Sequence, residues 1–469
     1  MWKIALICFL FTWTLTTHGK YSVTGDEPHY LMVTHSLVHD RDLDLSNNYA
    51  HDDGRWFGHE RLQAGPHARI ARTGQLLSVH DIGLPVLLVP AYIVAERIAT
   101  IPSAGLLARF RMSRGLFAYS IVSLFLILVT TRAMTLAAEG LAASIAPTTA
   151  ALLVVVAAIS PPVVSHAFLV FPEVPALVVT AIVVWFVTKV QEPQDRVTIV
   201  WLIAMVGCLP WAHRKYSLYA CGLLFLLLWM ARTARDEMSR PHRWLAAALF
   251  LLPQAAFHAW TWHEWGTLSG PQLSEALPFT LSAFKTGLVG LWLDRQSGLL
   301  SYAPVYWLVP ACWAMTWRRT WPFIVPALLL YLPMAAFIEW WGGFSPAARY
   351  LVPIVPLCAV PVAAALRSTG IKIGAAALVV PQIAIDIIVW QHPRALWPQD
   401  SGLNPALESL GAAGRAYERL LPPIRSDGVT LPAILIVIVM IGIVAAALRF
   451  APRDDEVRPW PPGGGVAPA

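Results

Sequence analysis

The chain has 469 residues, of which 57% are hydrophobic and 13% charged, and it carries a formal net charge of +6. The charged share is about half that of an ordinary soluble domain, which excludes a water-soluble enzyme and predicts an all-α polytopic membrane protein. Most Lys and Arg flank apolar runs, so the positive balance reads as topology-setting charge and not as a nucleic-acid footprint.

The first apolar segment, 4–17, follows Lys3 and lacks an A-x-A cleavage pattern, so it is read as a retained helix in place of a signal peptide. Just beyond it, in Tyr21-Ser-Val-Thr-Gly-Asp-Glu-Pro-His-Tyr30, stand two adjacent carboxylates, Asp26 and Glu27. Pro28 suits a first helical turn, and Tyr30, Leu31, Thr34, Leu37 and Val38 recur at helical spacing. This predicts an amphipathic helix lying against the membrane, with both carboxylates at its positive end. Spacing leaves two roles open for Asp26, helix cap or general base.

Eight of the 14 histidines fall within residues 18–80. His35 and His39 have the i, i+4 spacing of a metal-binding pair, but no third ligand is evident, so they read as solvated interfacial side chains. The stretch 82–97 is apolar yet interrupted by Pro85 and Pro90.

Stronger apolar segments follow at 115–131, 142–159, 174–188, 197–211, 216–231, 244–262, 302–316, 321–339, 350–366, 371–390 and 431–448. With the first helix they predict about twelve spans. If 82–97 lies on the membrane surface, Lys189…Arg196, Arg232…Arg243, Arg318-Arg319, Arg367…Lys372 and the tail from Arg449 share the cytoplasmic side. Arg109, Arg111 and Arg114 are the exception, at the end of a long outer loop, 18–114. Residues 1–450 then form one membrane module, and the Pro/Gly-rich stretch 451–469 is expected to be a disordered cytoplasmic tail.

On this map the polar outliers face the side of Asp26. They are Glu173 in Phe171-Pro-Glu-Val-Pro175, the cluster His213-Arg214-Lys215, Arg295 ahead of Tyr302, and Arg349. Polar groups at membrane depth are costly and tend to be paired or functional. The five cysteines, Cys8, Cys208, Cys221, Cys312 and Cys358, lie in or beside apolar segments without CxxC or Cys/His spacing, and read as small buried hydrophobes. There is no Walker loop, no strand-borne GxGxxG and no GxSxG elbow.

In this order of features the chain resembles the GT-C glycosyltransferase superfamily, which includes protein O-mannosyltransferases and aminoarabinose transferases. The resemblance rests on Asp26-Glu27 after the first span, a long outer loop with juxtamembrane helices, a second acidic site at Glu173, and basic residues in later outer loops. It implies an inverting transferase that moves a sugar from a polyprenyl-phosphate donor to an acceptor hydroxyl, with Asp26 as base and Glu27 and Glu173 as further catalytic carboxylates. Lys215 and Arg349, helped by His213 or Arg214, would hold the lipid phosphate. His29, His80, Arg295 and Tyr302 complete the candidate substrate-binding set. His80-Asp81 stands where some relatives have Lys-Pro-Pro, which leaves the phosphate contact there without its usual residue.

No cofactor is required by the sequence, and a divalent cation bridging Asp26, Glu27 and phosphate is compatible with the resemblance. The expected partners are the lipid-linked sugar, an acceptor lipid, glycan or protein, and the bilayer, with no nucleic acid. The expected location is a bacterial inner membrane with the site outside the cytoplasm. A lipid-linked-sugar flippase or transporter and a polysaccharide polymerase remain as alternatives, although no internal repeat of the transporter kind is found.

Overall fold

The structure is a computed structural model, and it describes residues 2–17, 25–189, 196–233, 240–271, 279–398 and 403–449. The stretch 451–469, expected to be a disordered tail, lies outside the described residues. The described chain is helical throughout apart from one two-stranded hairpin, as a bilayer demands of backbone that must satisfy its own hydrogen bonds.

Helix α1 (Trp2–Thr17) packs against the helix Arg114–Leu141, and α2 (Glu27–His39) follows it. Strands β1 (Ala68–Ile70) and β2 (Leu76–Ser78) pair antiparallel with Ala68 opposite Ser78. Then come α3 (Gly83–Ala99), α4 (Arg114–Leu141), α5 (Pro147–Ile159), α6 (Glu173–Lys189) and α7 (Arg196–Gly207). The second half holds α8 (Ser217–Thr233), α9 (Arg240–Trp265), α10 (Leu281–Leu293), α11 (Leu308–Ala336), α12 (Val355–Ala365), α13 (Thr369–Gln391) and α14 (Leu431–Arg449). Starts are set by side-chain caps where the sequence supplies them: Ser113 accepts from the Leu116 N–H at 3.1 Å and Thr280 from that of Ala283 at 3.0 Å.

Among the described residues, four helical stretches are long and apolar enough to cross a membrane: Arg114–Leu141, Pro304–Ala336, Thr369–Gln391 and Leu431–Arg449. The other apolar segments lie in further helices, of which α9 is itself 26 residues long and packs on α7. Large side chains such as Phe125, Leu128, Leu152 and Trp201 are left exposed on the outer faces, as expected of surfaces that meet lipid.

The structure departs from the sequence expectation in three places. First, 302–316 and 321–339 do not form two helices with Arg318-Arg319 in a loop; both arginines lie inside α11. That helix cannot be straight, because 29 residues would span about 43 Å. Its first turn shares a cavity with Val355, whereas Phe337, just past its end, meets the ring of Tyr350. Trp321 packs on Trp229, and Pro326 lies against Gly222, so the second half runs antiparallel to α8. The helix therefore doubles back. Pro322, which has no N–H for the Arg318 carbonyl, stands where the bend is needed.

Second, α2 does not lie on the membrane by one face. Every residue from Glu27 to Thr34 is buried, because α3, α4 and the hairpin enclose it. Of the apolar residues at helical spacing, Tyr30, Leu31 and Val38 pack toward α3 and α4, whereas Leu37 packs with Met32 and Val33 on the hairpin side. Third, Cys8, Cys312 and Cys358 are buried, but Cys208 and Cys221 are exposed, so the reading as buried hydrophobes holds for three of the five.

Candidate active site

Residues from four separate parts of the chain meet at the start of α2. Gly25 has φ +59°, a left-handed conformation that suits glycine, and a Cβ there would come within 2.6 Å of the Phe344 carbonyl oxygen. This close approach brings Asp26 against the loop that carries Arg349. Ala348, at φ 59°, turns that loop so that Arg349 points inward.

Arg349 joins two carboxylates. Its Nη1 donates to Asp26 Oδ2 at 3.1 Å, and its Nε donates to Glu173 Oε1 at 2.9 Å. Lys215 donates to the same Glu173 oxygen. The Arg349 guanidinium lies 4.2 Å from the Phe171 ring centroid, and the Lys215 ammonium lies over Tyr350 and Tyr216 at 4.8 and 5.1 Å. Two cations and two anions are thus walled by aromatic rings, where charge–charge interactions are much stronger than in water. Among the described residues, Glu173 Oε2, Tyr30 Oη and Tyr216 Oη are buried without a hydrogen-bond partner, and buried polar atoms normally have one.

Asp26 is not a side-chain cap. Its backbone carbonyl accepts the N–H groups of His29 and Tyr30, but its carboxylate makes no capping bond. Burial alone would raise the Asp26 carboxyl, but Arg349, His80 and His67 hold it well below the usual carboxylate range. Burial draws the Lys215 ammonium down to about 8, against the opposing pull of Glu173.

A histidine group adjoins Asp26 on the other side. The β1–β2 hairpin sets His67 beside His80, with His67 Nδ1 and His80 Nε2 2.9 Å apart. His67 Nδ1 is 3.9 Å from Asp26 Oδ1, and the His29 ring stacks on His67 at 3.8 Å. Burial lowers all three imidazoles, His80 to about 4 and His29 to about 3, so they are neutral at pH 7. Asp26, His67 and His80 present ligand atoms within 4.8 Å of one another and could receive a divalent cation.

Glu27, which the resemblance allows as a second ligand of a metal at Asp26, is absent from that group. It is fully buried, and its Oε1 accepts from the Tyr119 hydroxyl at 3.0 Å and the Val170 N–H at 2.8 Å. It braces the segment that leads into Glu173. The helical turn explains the split, since successive residues point about 100° apart.

The remaining expected residues divide in the same way. Arg214 faces Asp81, donating to it through Nε at 3.2 Å and Nη2 at 2.7 Å, and also bonds the Ser269 and Val79 carbonyls. His213 accepts the Lys215 N–H and so positions the lysine. Arg295 bonds the carbonyls of Leu421 and Pro422, and is not drawn to Asp26 or Glu173 by any of those bonds. Tyr302 is buried in the same apolar cluster as Phe171, and its carbonyl accepts from the Gln382 side-chain amide. The sequence names Asp81 and Phe171 only as neighbours of His80 and Glu173, and gives no role to His67 or Tyr350. Of the last two only His67 carries a signal, as one of the crowded histidines of the first loop.

No family model matches the chain, and no curated protein does. Among solved structures it is similar to that of ArnT from Cupriavidus metallidurans bound to undecaprenyl phosphate, at 13% identity and a TM-score of 0.47, over 95% of this chain and 71% of that one. A likeness at that level assigns this chain neither a family nor an activity.

Proposed function

We propose that the protein is an inverting glycosyltransferase of the GT-C type. It transfers a sugar from polyprenyl phosphate to an acceptor hydroxyl, on the outer face of a bacterial inner membrane. The observation that carries this reading is the bridge from Asp26 through Arg349 to Glu173, with Lys215 on the same glutamate. Among the described residues the hydrogen bonds of these two buried cations go to carboxylates, which suits a phosphate that can exchange with them, and the guanidinium fork suits phosphate oxygens in particular.

Binding and base strength are then linked. While Arg349 holds Asp26, the carboxylate is a weak base. When a donor phosphate takes the guanidinium, Asp26 loses its strongest neutralising neighbour and gains basicity. It removes the acceptor's hydroxyl proton as that oxygen bonds to the anomeric carbon. The bond from the anomeric carbon to the phosphate oxygen breaks, and its electron pair leaves on the phosphate. Arg349 and Lys215 neutralise that charge. One displacement inverts the centre and leaves no sugar on the protein.

An apolar cavity near the bridge suits a lipid tail. It runs along Val355, Cys358, Ala359 and Val362, in the segment that continues directly from Arg349, and Val305 and Val309 face it from α11 and the turn before it. The unpartnered Tyr30 and Tyr216 hydroxyls and Glu173 Oε2 are suited to sugar hydroxyls.

The test is transfer by the purified protein in proteoliposomes, using a panel of radiolabelled polyprenyl-phosphate sugars and extracted envelope acceptors. Release of polyprenyl phosphate that depends on acceptor and on Asp26 supports the reading. Lipid movement between leaflets without sugar release, unaffected by Asp26→Asn, would make the protein a flippase.

A further inference from the structure

The sequence pairs His35 with His39 and offers no third ligand nearby. The fold supplies one from 57 residues away: His39 Nε2 lies 2.9 Å from Glu96 Oε1 on α3. The ligand atoms of His35, His39 and Glu96 all lie within 4.8 Å of one another, and the two imidazole centroids are 4.3 Å apart. We propose that His35, His39 and Glu96 form a transition-metal site that clips α2 to α3, with zinc the best-suited ion.

Two features beyond proximity support it. The donors are two imidazoles and a carboxylate, a set that suits zinc, with room for a water in the fourth position. The Tyr92 hydroxyl stands 2.9 Å from His35 Nδ1. In the tautomer that donates Nδ1–H to Tyr92, the Nε2 lone pair is left for the metal. This outer partner is what metal-bound histidines usually have.

Access is open as well. The His39 side chain is 46% exposed and that of Glu96 19%, so an ion can enter from solvent and the two side chains can close on it. The site lies about three helical turns from Asp26 along α2 and shares no residue with the Arg349 bridge. An ion there would hold the far end of the helix whose first turn carries Asp26. The proposal stands whether or not the protein is a transferase.

The experiment uses the full-length protein in detergent, stripped with chelator and titrated with zinc chloride, with metal content and melting temperature as readouts. Wild-type protein should bind one equivalent more than Glu96→Gln, which keeps the hydrogen bond to His39 and loses the anionic ligand. His39→Ala, at an exposed position, should lose the same equivalent. Tyr92→Phe should bind it about 10–100-fold more weakly. Zinc should raise the melting temperature of wild-type protein more than that of either ligand variant. Other zinc sites, including one at Asp26, His67 and His80, cancel in these differences. Equal zinc content and equal zinc-dependent melting in wild type, Glu96→Gln and His39→Ala would overturn the proposal and leave a simple His39–Glu96 ion pair.

Discussion

Arg349 and Asp26 lie 323 residues apart in sequence and 3.1 Å apart in space. The guanidinium that bonds Asp26 also bonds Glu173, so one side chain sets the spacing of both carboxylates. The bridge explains why neither acid can be understood from its local sequence. It also makes the site testable one residue at a time.

Asp26→Asn keeps the size of the side chain and removes its basicity. Turnover should fall by roughly 10²–10⁴-fold, the usual contribution of general base catalysis, while donor binding and folding persist. Activity measured against protein content in proteoliposomes decides the matter. Wild-type turnover would remove Asp26 from the mechanism.

Arg349→Lys and Arg349→Ala should differ in kind. A lysine keeps the charge but cannot bond both acids through a planar fork, so the folded variant should lose turnover. Alanine leaves Glu173 buried with one cation fewer, at a cost on the order of 3–5 kcal/mol, and should lower the melting temperature as well. If lysine restores full activity, Arg349 is only an anchor for the membrane end of its segment.

The adjacent acids should separate cleanly. Glu27→Gln weakens the acceptor for the Tyr119 hydroxyl and the Val170 N–H, so it should destabilise the protein by about 1–3 kcal/mol and spare the turnover of the folded fraction. A Glu27→Gln protein that melts like wild type but cannot turn over would return Glu27 to the catalytic group.

Gly25→Ala tests the approach of the two loops. Its left-handed φ costs an alanine about 1–2 kcal/mol, and the new Cβ would press on the Phe344 carbonyl. Asp26 should move away from Arg349, and activity should drop more than stability does. Unchanged kcat would mean that the loops tolerate separation.

The pH profile should report Lys215. Its pKa near 8 means that it is charged below that value and neutral above it. Phosphate stabilisation is therefore present at neutral pH and lost as pH rises through about 8, giving a falling alkaline limb in kcat. Lys215→Arg should move that limb out of the accessible range. A limb at the same pH in the variant would assign it to another group.

Much of the architecture was legible because apolar run length is a direct signal, and the runs at 115–131, 371–390 and 431–448 each lie within one long helix. Arg318-Arg319 was misread as a loop because a bent helix and a hairpin carry the same apolar–basic–apolar pattern. Asp26, Glu173, Lys215 and Arg349 stood out because charge is rare near apolar segments, and the fold brings all four together. Arg214 stood out for the same reason, yet its partner Asp81 lies 133 residues away and no local pattern announces it. Glu27 shows the limit most directly. Adjacency in sequence suggested a shared role, but a helical turn sends neighbouring side chains in different directions.

The bridge also imposes an order on biosynthesis. Glu173 emerges 42 residues before Lys215 and 176 before Arg349. Lys215 is thus the first cation made that can neutralise the buried glutamate, in a unit formed by α6 through α8. Asp26 waits far longer for its partner. A nascent chain therefore holds a separated acid until the segment before α12 arrives, and the bridge from Asp26 through Arg349 to Glu173 cannot close until most of its helices are in place.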